Sequence, residues 1–302
     1  MYEIVISLYT LGVAVMSLFN DKVKKMWRGE REAFRVLRNS VDPDSRYVWF
    51  HAASLGEFEQ GRPIMERLRR EHPELKILLT FFSPSGYEVR KNYEGADIIC
   101  YLPLDTYFNA RRFLNLVHPE VAFFIKYEFW WNYLHILKRR NVPVYSVSSI
   151  FRPNQVFFRW YGRTYSNVLK CFTRFFVQNE VSRQLLAKLG ITEVEITGDT
   201  RFDRVLQIKS QAKSLPIVEA FRQDYKVFVA GSSWPPDEDI FIKYFNGRDD
   251  WKLIIAPHVI GEDHLQQILS KLKGKAVRYT EATPESVADA KILIIDCFGL
   301  LS

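Results

Sequence analysis

The segment HAASLGEFEQGRP, residues 51–63, places histidine, serine, glycine and glutamate side chains directly after the apolar run YVWF. Two interpretations are open. One is an ordinary strand-to-helix turn, in which Gly56 relieves the backbone and Ser54 or Glu57 caps the helix. The other is a ligand site containing His51, because open parallel sheets bind ligands at the carboxyl ends of their strands.

Two further apolar runs in the first half of the chain end in polar residues. Ser83, Ser85 and Gly86 follow one run in FFSPSGYE, and Lys126 and Glu128 follow another in IKYEFWWN. A carboxylate among aromatic residues, as Glu128 is, costs free energy unless it is paired or used. An ion pair of Glu128 with Lys126 or an arginine is the purely structural alternative.

The second half of the chain has two comparable strand ends. Gly231, Ser232 and Ser233 in FVAGSSWPPDED precede a helical pattern, and Pro257 and His258 end the run IIAPHV. Free backbone N–H groups and hydroxyls at a helix start can bind phosphate, although a serine cap and a proline-led first turn remain an alternative. The GxGxxG and Walker motifs are absent, so neither an NAD site nor a P-loop is indicated.

Short apolar runs alternate with amphipathic stretches along most of the 302 residues. Continuously apolar strands separated by helices of about three turns indicate a parallel sheet covered on both faces. The pattern pauses near residues 205–225 and then restarts with three or four strands. We therefore expect two α/β domains, the second of them incomplete, with a ligand cleft between them.

The charge pattern favours a membrane surface over nucleic acid. The net charge is +7, and a basic cluster follows the apolar first 20 residues, whose only charge is Glu3. The cluster contains Lys22, Lys24, Lys25, Arg28, Arg31, Arg35 and Arg38. Basic residues beside an apolar segment favour the cytoplasmic side and anionic headgroups. The segment itself is interpreted as a membrane anchor or interfacial helix, or alternatively as a buried first helix, whereas a cleaved signal peptide fits poorly.

An ordered set of motifs resembles a known family. HAASLGE, TFFSPSGYE, YLPLD, KYEFWWN, VQNE, GDTRFD, GSSW and APH occur in the order found in 3-deoxy-D-manno-octulosonic acid (Kdo) transferases, most similar to the Bacteroides-like form. The resemblance implies a GT-B glycosyltransferase with two Rossmann-like domains facing a cleft. Residues 1–20 would be a membrane-associated segment, 21–210 the acceptor-binding domain and 211–302 a partial CMP-sugar-binding domain.

The resemblance also implies a reaction. Kdo would move from CMP-Kdo to a lipid A precursor, with inversion, at the cytoplasmic face of the inner membrane, and no metal or cofactor is demanded. The acceptor-binding residues would be His51, Ser54, Gly56, Glu57, Ser85, Gly86 and Glu128. The donor-binding residues would be Gly231, Ser232, Ser233, Pro257 and His258.

The general base in such enzymes is the glutamate of a Gly-Glu-Arg motif, which corresponds here to Gly29, Glu30 and Arg31 in RGEREAF. Glu30 is therefore the candidate base. The second glycine of the family motif is missing, and Glu32 is a nearby alternative.

A second departure concerns the end of the chain, because the family continues into glycine-rich strand ends and a His-Asn-x-x-Glu motif that help hold the nucleotide. This form is therefore expected to be truncated and to turn over poorly. Two alternatives stay open. One is a non-catalytic glycolipid- or membrane-binding protein on the same scaffold, and the other is an enzyme for a different nucleotide sugar. A nucleic-acid binder is disfavoured, because no recognition motif accompanies the charge.

Overall fold

The computed structural model describes residues 2–210 and 214–300. The chain forms two compact units, one ending at Gln207 and the other beginning at Ile208. Both units are parallel α/β structures, as the alternation of apolar runs and amphipathic stretches predicts.

A seven-stranded parallel sheet forms the first unit, with strand order β3-β2-β1-β4-β5-β6-β7. Its strands are β1 (Tyr47–Ala52), β2 (Lys76–Phe81), β3 (Ile98–Tyr101), β4 (Pro119–Ile125), β5 (Val144–Ser149), β6 (Arg174–Val177) and β7 (Val194–Ile196). The strand order reverses between β1 and β4. Ligands of open α/β sheets bind beyond the carboxyl ends of the strands at such a point.

Helices pack on both faces of this sheet and form two separate cores with it. In chain order the helices are α1 (Tyr2–Met16), α2 (Asp21–Ser40), α3 (Leu55–Glu71), α4 (Pro84–Arg90), α5 (Tyr107–Val117), α6 (Trp131–Arg139), α7 (Glu180–Ala187) and α8 (Arg201–Ser210), with 3₁₀ turns at Val156–Phe158, Trp160–Gly162 and Tyr165–Cys171. Helix α8 crosses the boundary between the two units, and its Phe202, Val205 and Leu206 are exposed. Strand β1 is buried throughout, and its residues alternate between two cores. Trp49 belongs to one core and Phe50 to the other, which explains why the run is continuously apolar.

The second unit contains a four-stranded parallel sheet in the order β10-β11-β9-β8. Its elements are α9 (Pro216–Arg222), β8 (Lys226–Ser233), α10 (Pro235–Phe245), β9 (Trp251–Pro257), α11 (Glu262–Lys271), β10 (Ala276–Arg278), a 3₁₀ turn (Tyr279–Glu281), α12 (Pro284–Ala288) and β11 (Ile292–Ile294). Two clusters, one on Leu253 and Ile255 and the other on Ile254 and Leu293, form its core.

Helix α1 is not a buried first helix, so that alternative is wrong. Only Val13 is buried within it, whereas Ile4, Leu8 and Leu11 are more than 60% exposed at 66%, 63% and 62%. Within residues 2–210 and 214–300, no helix is both long enough and apolar enough to cross a bilayer.

Candidate active site

A cavity of about 370 Å³ lies in the first unit, beyond the carboxyl ends of strands β2, β3 and β4. Its wall is mainly aromatic and includes Tyr2, Tyr9, Phe82, Tyr127, Phe129, Trp130, Phe157 and Tyr165. Two carboxylates, Asp105 and Glu128, also line it. An aromatic wall with a few acceptor groups suits a ligand that has both apolar surface and hydroxyl groups.

Residues 127–130 reach this cavity because strand β4 ends earlier than the sequence predicts. The apolar run through Phe129 predicts a strand, but β4 stops at Ile125 and Lys126 has a φ of +67°. This left-handed residue turns the chain out of the sheet. Tyr127, Glu128 and Trp130 therefore line the cavity instead of continuing the strand.

Glu128 is held by nitrogen donors, and the predicted alternative of an ion pair with Lys126 is wrong. Its Oε2 lies 2.7 Å from Nε1 of Trp130 and 3.1 Å from Nε2 of His51. His51 is fully buried, and its Nδ1 lies 2.9 Å from the Thr80 hydroxyl. The arrangement connects His51 and Glu128, two residues proposed from separate strand ends, in one hydrogen-bonded group.

Asp105 is a cavity residue that the sequence reasoning missed. It accepts hydrogen bonds from the Tyr2 hydroxyl at 2.6 Å and from the backbone N–H of Asn132 at 3.1 Å. Burial raises the pKa of Asp105 to about 7, although these hydrogen bonds lower it. The sequence signals were its position just after the β3 run and its place in YLPLD, one of the motifs that resemble the family.

Glu30 lies on the inner face of α2 with 4% of its surface exposed. Its Oε1 is buried and has no hydrogen-bond partner among the described residues. Burial raises the pKa of Glu30 to about 8. Glu30 is not one of the residues that line the cavity. Burial, and after it the charge of Glu30, raise the pKa of Tyr9, which does line the cavity. A buried carboxylate with an unused oxygen is an expensive arrangement in a helix and is typical of functional sites.

The residues beside Glu30 explain its motif. A Cβ on Gly29 would lie 2.2 Å from Cδ2 of Tyr101, so only glycine lets this ring pack against α2. Arg31 is exposed and lies over the Trp27 ring. Glu32, the alternative base, is 61% exposed and forms a 3.5 Å ion pair with Arg35. Its environment is that of a surface residue.

The remaining predicted acceptor residues lie around the same strand ends. Ser54 is the N-cap of α3, and its hydroxyl donates to Glu57 at 2.9 Å. Gly56 does not relieve a turn, because it lies in the first turn of α3 and has room for a Cβ. Gly86 is tightly packed, since a Cβ there would lie 2.4 Å from the Phe81 ring. Ser85 is exposed and bonds to Ser83.

The predicted donor residues come together in the second unit at the ends of β8 and β9. The backbone N–H of His258 donates to the carbonyl of Ser233 at 2.9 Å, and Pro257 pairs with Ser233 in the sheet. Ser232 has a φ of +53°, and Gly231 precedes it at the end of β8. The Ser233 hydroxyl is turned inward and donates to Glu238 at 3.0 Å.

Among the described residues, no group of three histidine, cysteine, aspartate or glutamate side chains could hold a metal ion. The expectation that no cofactor takes part stays a prediction.

The fold is that of the GT-B class. The structure aligns with a UDP-N-acetylglucosamine 2-epimerase from Listeria monocytogenes with a TM-score of 0.56 at 10% identity, covering 84% of this chain and 70% of that one. It aligns with MurG of Acinetobacter baumannii at 0.50 and 8% identity, covering 85% and 68%. At such low identity these similarities establish the fold alone.

The chain belongs to the 3-deoxy-D-manno-octulosonic-acid transferase (kdotransferase) family, whose model matches residues 28–204. A Haemophilus influenzae 3-deoxy-D-manno-octulosonic acid transferase is 26% identical over 218 residues, covering 70% of this chain and 51% of the relative. The Aquifex aeolicus transferase is 26% identical over 260 residues, covering 84% and 65%. The resemblance seen in the sequence motifs is confirmed. The chain spans half to two thirds of the length of these two relatives.

Proposed function

We propose that this chain carries the acceptor side, and part of the donor side, of an inverting Kdo transferase. Kdo would pass from CMP-Kdo to a hydroxyl of a lipid A precursor in lipopolysaccharide biosynthesis. The observation that carries the proposal is Glu30, a buried carboxylate whose Oε1 has no hydrogen-bond partner among the described residues, in the same unit as the aromatic cavity. Family membership supports Kdo as the transferred sugar, and CMP-Kdo as donor and a lipid A precursor as acceptor are part of the proposal.

In this reaction Glu30 acts as the general base. Its carboxylate removes the proton from the acceptor hydroxyl while the hydroxyl oxygen forms a bond to the anomeric carbon of Kdo. The bond from that carbon to the cytidylate oxygen breaks, and CMP leaves with the electron pair. The raised pKa makes deprotonated Glu30 a stronger base than an ordinary surface carboxylate.

Acceptor and donor would be bound by different groups. Glu128, oriented by His51 and Trp130, would accept hydrogen bonds from hydroxyls of the lipid A sugar, while the aromatic wall contacts its apolar surface. In the second unit, the backbone at Gly231 and Ser232 and the side chain of His258 would face the cytidylate phosphate. Hydrogen-bond donors that are in position before the reaction stabilise the negative charge on the departing phosphate.

We also propose that the chain acts at the cytoplasmic face of the inner membrane. The exposed apolar face of α1 is followed by α2, on which all seven basic residues from Lys22 to Arg38 are exposed. An apolar face beside a basic face binds anionic bilayer surfaces. The same basic side chains would attract the phosphates of lipid A.

The direct test is transfer of Kdo from freshly generated CMP-Kdo to a tetraacyl lipid A precursor. We expect Glu30→Gln to lower transfer at least 100-fold, the range of a lost general base. The matched control, Glu32→Gln, changes a carboxylate two residues away and should retain activity. Equal loss in both variants, or loss in Glu32→Gln alone, would contradict the assignment of the base.

A non-catalytic glycolipid-binding protein is the second candidate, because the aromatic cavity is formed within the first unit alone. Lipid A binding by the parent chain with no transfer in any form would favour this second function.

A further inference from the structure

The segment from Arg152 to Arg163 presents two large aromatic side chains to solvent. Trp160 is 88% exposed and Tyr161 is 62% exposed, and their rings meet edge to face at 5.6 Å. Single exposed apolar residues are common on protein surfaces. An adjacent Trp and Tyr, exposed to this extent, form an apolar patch of the kind that marks an interaction site.

This exposure is built into the local backbone. Phe157 anchors the segment in the core with 6% exposure, and 3₁₀ hydrogen bonds join Arg159 to Val156 and Gly162 to Arg159. A Cβ on Gly162 would lie 1.7 Å from the Val156 carbonyl oxygen, so only glycine permits this close crossing. The local backbone therefore holds Trp160 and Tyr161 at the surface, next to the buried Phe157.

The surroundings of the two rings are strongly basic. Arg152, Arg159 and Arg163 are exposed, and in the described parts of the chain no carboxylate forms an ion pair with them. Residues 129–179 contain eight lysines and arginines and no aspartate or glutamate. An excess of this size over 51 residues gives the surface a positive potential and favours an anionic partner.

The segment is connected to α1 through Tyr165, which follows it in the chain. The rings of Tyr165 and Tyr2 stack at 6.4 Å, and Tyr165 also stacks on Phe157 at 5.4 Å. Tyr2 from α1, Phe157 from the segment and Tyr165 just after it line the same aromatic cavity. The exposed Trp160–Tyr161 pair is therefore connected to the apolar helix α1 through the wall of this cavity.

We propose that Trp160 and Tyr161 insert into the headgroup region of an anionic phospholipid bilayer, with Arg152, Arg159 and Arg163 contacting lipid phosphates. Trp and Tyr prefer this region because their rings are apolar and their N–H and O–H groups remain hydrated. The inference rests on the membrane association proposed for α1, to which it adds a second contact, and it is independent of sugar transfer. Two contacts separated along the chain would fix the orientation of the cavity on the bilayer.

The test is co-sedimentation of the full chain with vesicles of phosphatidylethanolamine and 30% phosphatidylglycerol. We expect Trp160→Ser combined with Tyr161→Ser to weaken binding about tenfold. Replacing the three arginines by Gln should weaken it by roughly fivefold per residue on anionic vesicles, and much less on neutral vesicles. Phe298→Ser, which removes a ring that is 84% exposed in the second unit, is the matched control and should bind normally.

Two additional measurements separate the outcomes. Brominated lipids should quench the tryptophan fluorescence of the parent chain more than that of Trp160→Phe. Vesicle binding of the double variant Leu8→Ser, Leu11→Ser tests the contact through α1. The result shows whether α1 binds the bilayer, whatever the outcome for Trp160 and Tyr161. Unchanged vesicle binding in the Trp160/Tyr161 variant would overturn the inference. Loss of self-association in sedimentation velocity, without loss of vesicle binding, would also overturn the inference. The patch would then be an interface between copies of the chain.

Discussion

A general base that is protonated near neutrality must lose its proton before it can act. Because burial raises the pKa of Glu30 to about 8, we expect kcat/KM for transfer to rise with pH and to level off above about 8. The measurement is a pH–rate profile of the parent chain at limiting acceptor concentration. A profile that levels off near pH 5 would show that the base is an ordinary exposed carboxylate.

The same burial makes Glu30 a cost to stability. A carboxyl group with a folded pKa above its unfolded value of 4.5 binds its proton more tightly in the folded chain. Stability therefore falls as pH rises from about 4.5 to about 8 and changes no further above that. We expect Glu30→Gln to gain on the order of 2–4 kcal/mol relative to the parent between pH 4.5 and pH 9. Urea unfolding of both chains at the two pH values measures this, with Glu32→Gln as a control that should follow the parent.

Alanine substitutions at Gly56 and Gly86 should distinguish a glycine needed for ligand binding from a glycine needed for packing. Gly56 has room for a Cβ in the first turn of α3, whereas a Cβ on Gly86 would strike the Phe81 ring. We expect Gly56→Ala to retain or raise the melting temperature, because alanine favours helix by up to about 1 kcal/mol, and to reduce lipid A binding if the acceptor approaches this backbone. Gly86→Ala should lower the melting temperature. The measurements are thermal unfolding and lipid A binding of both variants. Normal lipid A binding by Gly56→Ala would show that Gly56 is not part of the acceptor site.

At the scale of elements, one side-chain group connects the two strand ends of the second unit. His264 on α11 lies 2.8 Å from the Val259 carbonyl through Nδ1 and 2.8 Å from Glu238 of α10 through Nε2. Glu238 is 1% exposed and also accepts from Ser233. Two acceptors around one imidazole favour the doubly protonated ring, so the group is a charged clamp on the loops after β8 and β9.

This clamp should depend on pH. Burial lowers the pKa of His264, but the hydrogen bond to Val259 and the contact with Glu238 outweigh it and raise the pKa overall, with Lys271 as a minor opposing charge. Its contribution is therefore complete below the ordinary histidine pKa of 6.5 and is lost as pH rises through the raised value. We expect the stability of the parent chain to fall more steeply from pH 6 to pH 9 than that of His264→Gln. Urea unfolding measures this, and His72→Gln, an exposed histidine, should behave as the parent does.

At the scale of the whole molecule, the net charge of +7 should govern how the chain meets a bilayer. Interactions between exposed charges are screened over about 10 Å at 0.1 M salt. We expect binding to phosphatidylglycerol-containing vesicles to weaken at least tenfold between 50 and 500 mM NaCl, with a residual affinity from apolar contacts. A titration of vesicle binding against salt measures this, and salt-independent binding would show that the basic residues of α2 do not take part.

The amino-acid sequence predicted most of the central strands of both sheets. The apolar runs around Trp49, Leu78 and Ile254 predicted central strands correctly, because a strand buried on both faces must be apolar at every position. The ordered motifs identified the family, and Glu30 was selected through the Gly-Glu-Arg resemblance. Strand ends were less certain, as β4 shows: a single left-handed residue, Lys126, ended the strand while the apolar pattern continued.

By itself, then, the sequence determined the alternation of helices and strands, the family and the basic character of the amino-terminal region, since these depend on residue type and local order. Only the tertiary structure decided that His51 bonds to Glu128 across 77 positions and that Tyr2 bonds to Asp105 across 103. It also decided that Glu30 is buried while Glu32 is exposed. Hydrogen bonds and pKa values depend on distances and burial, and folding sets both by bringing together residues that the sequence keeps far apart.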